Sequence, residues 1–429
     1  MTDVQLRALR LLLTVLGGRS LTAALAARRT ADAAGERVAA AVQDLVYGVL
    51  RQLGLLRAVV AQLVAKPLAD HDLDALLLVA LYQLEYTRAA PHAVVDHAVQ
   101  ACARLRKTSA KGLVNAVLRS FLRRREALLA HARSTEPGRW SYPQWWIDTL
   151  RSAYPNDFAA ILEAGNSRPP MTLRVNLRKI AREPYRALLQ EAGMEAEAIG
   201  DAALLLDQPV GVDKLPGFAH GLVSVQDLAA QYAASLLDLS DGLRVLDACA
   251  APGDKSAHIL ERAQVDLTAV DRDEVRLQRV TATFERLGLP GAHVRRADAA
   301  DLAQWWDGGA FDRILLDVPC SASGIVRRHP DIKWLRRPED VPALAAQQRA
   351  LLEALWRTLA RGGKLLYSTC SVFPAENHAQ VSVFLQAHSA ARLLPLPGIP
   401  EGPEIGNVKG QLLPGPRHDG FFYALLQKA

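Results

Sequence analysis

Residues 244–260, RVLDACAAPGDKSAHIL, decide the fold. The apolar run RVLDA reads as a strand, the small residues from Cys249 to Gly253 as a tight turn, and the stretch beyond Asp254 as a helix. Such a turn lets backbone approach a ligand closely at the carboxyl end of a strand, where open α/β sheets bind nucleotides. The stretch contains neither GxGxxG nor GxxxxGK[ST], which disfavours a dinucleotide fingerprint and a P-loop.

From Leu243 onward strand and helix patterns alternate, the signature of a mostly parallel, doubly wound sheet. The expected strands are RVLDA, VDLTAV, AHVRRA, DRILLD and KLLYST, with GFFYALL last, after an irregular Pro-rich loop from Leu394 to Pro416. Asp271 lies 18 residues after Gly253, at the end of the second strand, where a carboxylate accepts hydrogen bonds from ribose hydroxyls. Asp298 follows the third strand, where a carboxylate can meet an adenine amino group. The fourth strand ends in Asp317, Pro319 and Cys320, and the fifth in Cys370. Two cysteines at adjacent strand ends suit a thiol mechanism.

Toward the amino terminus the pattern changes. Residues 140–235 read as a small α+β region: a strand over Thr172 to Leu177, a helix over Arg182 to Ala192 and a strand over Gly221 to Val225. Residues 127–143, with Pro137, Gly138 and Pro143, read as a linker. Before it, from Leu6 to about Arg125, apolar residues recur at three- and four-residue spacings, which predicts helices throughout. In KTSAKGLVNAVLRSFLRRRE, Leu113, Val117 and Phe121 fall near one helical face, and the helix ends in the basic run Arg123, Arg124, Arg125. Such a cluster either meets phosphate or complements the helix dipole. Trp140, Trp145 and Trp146 read as aromatic core.

The net charge of +6 hides an asymmetry. Residues 1–135 carry 19 Lys+Arg against 10 Asp+Glu, which leaves −3 for the remainder. An anionic partner is therefore expected at the first third. The four cysteines, Cys102, Cys249, Cys320 and Cys370, form no CxxC, so a zinc ribbon and a disulfide scaffold are excluded, and reduced cytoplasmic thiols are expected. Cys102 reads as buried and inert, and Cys249 as packing or backbone contact within the turn. No HExxH or EF-hand spacing occurs, so no metal is expected, and His258 reads as an ordinary helix residue. No apolar run is long enough for a membrane span, and no secretory signal is expected.

DACAAPGDKSAH, DVPCSASG and YSTCSVFPAEN resemble motifs of RNA cytosine-5 methyltransferases of the NOL/NOP/Sun family. YGVLR, LLLVALYQLEY, HAVVDHAV and KGLVNAVLRSFLRR resemble the RNA-binding NusB domain, and PPMTLRVN and GLVSVQDLAAQ are similar to the family's intermediate region. The resemblance implies a multidomain chain. Residues 1–135 would be an all-α NusB-like RNA-binding domain, 140–235 the small α+β region, and 236–429 an α/β Rossmann-like class I methyltransferase domain.

It further implies S-adenosyl-L-methionine as cofactor, bound by Cys249, Ala250, Ala251, Pro252, Gly253, Asp254, Lys255, Asp271, Asp298 and Asp317, with a cytosine of 16S rRNA as substrate. In the family pattern Cys370 attacks the base, Cys320 assists release and Asp317 hydrogen-bonds the cytosine ring. The family reads PGGK where this chain has Pro252, Gly253, Asp254 and Lys255, so the role of Asp254 is open. A transfer-RNA cytosine-5 methyltransferase and a non-catalytic NusB-like assembly factor are the competing readings. Intact Cys320 and Cys370 argue against the latter. The sequence sets no oligomeric state and accommodates a monomer.

Overall fold

A computed structural model describes residues 2–31, 35–289, 291–400, 402–403 and 408–429, with the side chains of 28–31 and 36 left aside. The chain forms two compact units, one from Met1–Arg168 with Val326–Pro338, the other from Pro169–Ile325 with Glu339–Ala429.

The first unit is helical among its described residues, as the periodicity predicts. Helices Thr2–Leu16, Glu36–Arg51, Leu53–Leu63, His71–Tyr86, Pro91–Arg104 and Lys111–Arg133 share one core that includes Leu9, Leu12, Val46, Leu76, Leu77, Val94 and Leu118. His71–Tyr86 runs through this core and starts cleanly because the Asp70 carboxylate accepts from the backbone N–H of Asp72 and Leu73.

Two sequence expectations are corrected here. The helix begun at Lys111 does not give way to a linker at 127: it runs to Arg133 through ALLAHA, with a non-helical break at Arg124 (φ −118°, ψ 18°). A short helix, Glu136–Trp140, follows. Pro137 and Gly138 suggested a linker, but Pro sits in the first turn, where its missing N–H costs nothing, and Thr135 caps the end. The buried face of the long helix is Val114, Val117, Leu118 and Phe121, whereas Leu113 is exposed. In the basic run, Arg125 pairs with Glu85 at 2.6 Å. Trp140 and Trp146 are buried and Trp145 tilts against Trp146, as core packing requires.

Residues 326–338 belong to this unit although they follow Cys320 closely in sequence. Lys333 is fully buried and donates to the Arg51 carbonyl (3.1 Å), the Ser141 carbonyl (2.9 Å) and Asn166 Oδ1 (2.6 Å). These three acceptors are neutral. Burial, helped by nearby Arg51, pushes the lysine well below its ordinary pKa. Trp334 Nε1 donates to the Leu50 carbonyl, and Asp331 accepts from the Leu21 N–H.

The second unit holds two sheets. The smaller comprises β1 (Met171–Val175), β2 (Ala196–Ile199), β3 (Ala203–Leu206) and β4 (Val223–Val225), antiparallel in the order β2-β3-β1-β4, with the helix Arg182–Glu191 packing Tyr185 and Leu189 into its core. The larger comprises β5 (Arg244–Ala248), β6 (Asp266–Asp271), β7 (Ala292–Arg296), β8 (Phe311–Asp317), β9 (Leu359–Thr369), β10 (Ala391–Leu394), β11 (Gln411–Leu412) and β12 (Phe421–Lys428). Its order is β10-β12-β9-β8-β5-β6-β7, with β11 paired to β12. Strands β5 to β9 pair in parallel and β12 runs antiparallel to β9. The Pro-rich stretch from Leu394 to Pro416 contains the short β11, while 401 and 404–407 lie outside the described residues.

Because β5 pairs with β6 on one side and β8 on the other, the order reverses beside β5, and the carboxyl ends of β5 to β9 share one edge of the sheet. That is where an open α/β sheet forms its ligand crevice. Arg174 of β1 is fully buried and meets both carboxylate oxygens of Glu261 at 2.8 Å, while its Nη1 donates to the Asp254 carbonyl at 2.9 Å. The small sheet thereby holds the helix Asp254–Arg262, and with it the turn that joins β5 to that helix. Breaking such a buried pair by removing one partner costs about 3–5 kcal/mol. Among the described residues, no helix is long and apolar enough to cross a membrane.

Candidate active site

The register of β8 against β9, Asp317 opposite Ser368, makes the two strands end side by side. The loops that leave them bring Cys320 Sγ to 3.4 Å from Cys370 Sγ. Both cysteines are partly accessible. The hydrogen bond to Cys370, reinforced by burial and by the charges of Cys370 and Glu376, holds the Cys320 thiol well above its ordinary pKa. Cys320 therefore rests as the protonated thiol, in hydrogen-bond contact with the Cys370 sulfur.

Asp317 ends β8. It accepts from Lys255 Nζ at 2.5 Å and from Ser368 Oγ at 2.8 Å. Burial opposes the charge on Lys255, but Asp317, followed by the charges of Cys370 and Asp247, outweighs it and holds the ammonium above its ordinary pKa. Lys255 Nζ also sits 5.4 Å over the Phe421 ring. This lysine, in the first turn of the helix after the glycine turn, joins the two halves of the crevice.

The turn itself combines special backbone geometry with side-chain bonds from Asp271 and Arg276 to Ala251. Cys249 has φ +66° and Gly253 φ +103°, and the Ala251-Pro252 bond is cis. A Cβ at Gly253 would lie 2.9 Å from Val280 Cα, so no other residue fits there without moving backbone. Ala250 N–H donates to the Val270 carbonyl, and Ala251 N–H donates to Asp271 Oδ2 at 3.1 Å. Asp271, at the end of β6, also accepts from Asp273 N–H at 3.0 Å. Burial, with the charges of Asp271, Asp317 and Asp247, keeps Cys249 a thiol, in keeping with a packing residue. Asp298 is exposed after β7 and accepts from Ala300 N–H. Asp254 opens the helix, with its carbonyl tied to Arg174.

Three family models cover most of the chain: the 16S rRNA methyltransferase RsmB/F over residues 234–427, the RsmF/B-like ferredoxin-like domain over 142–213, and the NusB family over 2–123. The ribosomal RNA small subunit methyltransferase B of Vibrio cholerae is 46% identical over 395 residues, 91% of this chain and 89% of the relative. The chain belongs to the ribosomal RNA small subunit methyltransferase B family. The family member from Pseudomonas putida is also 46% identical and covers 99% of this chain and 98% of its own. The crystal structure of PH0851, 24% identical, superposes with a TM-score of 0.82 over 100% of this chain and 99% of that one, so the two share a fold.

Of the expected site residues, the structure gathers the Cys249 to Lys255 turn, Asp271, Asp317, Cys320 and Cys370 at the shared edge, with Asp298 further out at the end of β7. Cys102 is apart from them, buried in the helical unit with its thiol directed to the Ala98 carbonyl. Two carboxylates were passed over by sequence reasoning. Asp247 lies inside β5 and is fully buried: Ser256 Oγ donates to its Oδ2, and its Oδ1 has no partner. Burial pushes it up to about 7. Its signal was an acid within an otherwise apolar strand. Glu376, also fully buried, sits between the two cysteine loops, and its only signal was an acid in the YSTCSVFPAEN stretch.

Proposed function

We propose that this protein transfers the methyl group of S-adenosyl-L-methionine to carbon 5 of a cytosine in 16S ribosomal RNA, through a transient bond between Cys370 and carbon 6 of the base. The observation that carries this reading is the 3.4 Å approach of Cys320 and Cys370 at adjacent strand ends.

The chemistry of the crevice suits the cofactor. A ribose and an adenine bring hydroxyl and amino donors, and the consecutive ends of β6 and β7 present Asp271 and Asp298 as acceptors. Asp271 uses one bond per oxygen to orient itself, which leaves lone pairs free for a ribose. The turn from Cys249 through Ala250, Ala251, Pro252 and Gly253 to Asp254 and Lys255 offers backbone at close range. When bound, the cofactor supplies a methyl group on a positively charged sulfur, open to attack by a carbanion-like carbon.

Carbon 5 of cytosine is too weak a nucleophile to take that methyl group unaided. Cys370 thiolate adds to carbon 6, the carbon 5–carbon 6 π pair moves onto carbon 5, and that carbon becomes reactive. Asp317, oriented by Lys255 and Ser368, has lone pairs left to accept from the cytosine amino group and so holds the base in register. Once carbon 5 has taken the methyl group from the cofactor sulfur, Cys320 gives up its own proton to solvent. The Cys320 thiolate then takes the proton from carbon 5. The electrons of that carbon–hydrogen bond restore the double bond as the carbon 6–sulfur bond breaks, and Cys370 leaves as thiolate. The base must leave its stack for the sulfur to reach it, so a loop or loosened helix is the substrate.

In this reading residues 1–135 grip RNA with their basic surplus, the small sheet braces the helix Asp254–Arg262 through Arg174, and 236–429 perform the chemistry in the cytoplasm. The test is to incubate purified protein with undermethylated 16S rRNA and labelled cofactor, then map the product by nucleoside mass spectrometry. A single 5-methylcytosine is expected. Label at another base, or none in 16S rRNA while a parallel incubation labels transfer RNA, would overturn the assignment.

A further inference from the structure

The carboxylate of Glu376 ties together the residues that follow the two cysteines. Its Oε1 accepts from the backbone N–H of Ser321 at 2.7 Å and from Gln348 Nε2 at 3.1 Å. Its Oε2 accepts from Ser321 Oγ and from Ser371 Oγ, each at 2.5 Å. Ser321 follows Cys320 and Ser371 follows Cys370, so one buried group fixes both loops.

The surrounding bonds make this clamp stiff. Ser323 Oγ lies 2.9 Å from Ser371 Oγ and accepts from Val372 N–H, while Gly324 N–H donates to the Cys370 carbonyl. Gln348 Nε2 also holds the Pro319 carbonyl, and Tyr367 OH donates to the Glu376 carbonyl at 2.6 Å. A buried carboxylate is costly unless its lone pairs are satisfied, and here four donors satisfy them. All four donors come from residues next to the cysteines or from the neighbouring Gln348.

We propose that Glu376 is a positioning residue whose carboxylate, by clamping Ser321 and Ser371, sets the separation and relative orientation of Cys320 and Cys370. The proposal rests on the reading of these cysteines as the reacting pair, since the clamp matters to turnover only if both sulfurs work on one base.

The test separates geometry from catalysis. Cross-linking of Cys320 to Cys370 by diamide, scored by mass spectrometry of the linked peptides, reports the sulfur spacing in full-length protein without RNA. Methyl transfer is measured on the same preparations. Glu376→Asp keeps the charge but withdraws the oxygens by a methylene. Cross-linking should slow by about tenfold and kcat should fall on the order of a hundredfold, with KM for RNA and cofactor affinity unchanged, because misplacement of about 1 Å costs that much. Glu376→Gln keeps the length, and the serine hydroxyls can turn to accept from its amide, so it should retain both activities within about threefold. Unchanged cross-linking in Glu376→Asp overturns the clamp. Slow cross-linking with normal kcat upholds the clamp but sinks the reading of the reacting pair. If Glu376→Asp fails to fold, Ser371→Ala removes one donor from the same carboxylate. It should slow cross-linking, and an unchanged rate would overturn the proposal.

Discussion

The two halves of the crevice are built in different ways. At the ends of β5 and β6 the cofactor side is made of backbone: a turn through Cys249 and Gly253 at positive φ, with Asp271 capping peptide N–H groups. At the ends of β8 and β9 the cysteine side is made of side chains, with Glu376, Ser321, Ser371, Gln348 and Asn377 bonded to one another in a buried network. A backbone turn presents a fixed shape to a ligand that must come and go. In the proposed reading, a side-chain network holds two sulfurs at the separation the chemistry needs. Lys255 belongs to the first half by sequence and to the second by its bond to Asp317.

Cutting that connection is the severest way to break the comparison. Lys255→Met leaves Asp317 without its charged partner, and single-turnover methyl transfer should fall by about 10²–10³-fold, the usual loss when a preorganised charged contact is removed. If the two act as one unit, Asp317→Asn and the double variant should lose about as much as Lys255→Met alone. Additive losses would mean that the halves work independently.

A change confined to the backbone half should affect the cofactor and leave RNA alone. Asp271→Ala removes a carboxylate that also orders the turn, so cofactor affinity measured by calorimetry should weaken by roughly ten- to a hundredfold, as for loss of a hydrogen bond to a charged group. RNA affinity should be unchanged. Unaltered cofactor binding would remove Asp271 from the site.

The smallest effect sharpens the contrast through pH. Asp247 is buried beneath the turn and pushed up to about 7 from 3.8, chiefly by desolvation. A carboxyl raised in the folded state contributes stability that is complete below the unfolded value and lost as pH rises through the folded one. The wild-type melting temperature should therefore drop relative to Asp247→Asn between about pH 4 and about pH 7. A constant difference across that window would show that Asp247 is ionised throughout.

Sequence legibility followed the same division. The glycine turn and the acids at strand ends are legible because each depends on residues close in sequence, and the two cysteines because each ends a legible strand of one parallel sheet. The β2–β3 hairpin is not: AEAIGDAALLL is rich in helix formers, and it becomes strand because Ala203 to Leu206 pair with β1. Residues 127–133 read as linker because Pro137 and Gly138 follow them, yet they are helical. The assignment of 326–338 to the helical unit and the role of Glu376 were invisible for a further reason. Each depends on groups that meet across long stretches of chain, such as Lys333 with Ser141 or Glu376 with Ser321.

The central claim is that the two cysteines divide one reaction, with Cys370 attacking and Cys320 completing release. Incubating variants with labelled 16S rRNA and S-adenosyl-L-methionine, followed by a denaturing gel, tests it directly. Cys320→Ala should accumulate a denaturation-resistant protein–RNA adduct, while Cys370→Ala and the double variant should give neither adduct nor product. A stable adduct from Cys370→Ala, and none from Cys320→Ala, would contradict the account and reverse the two roles.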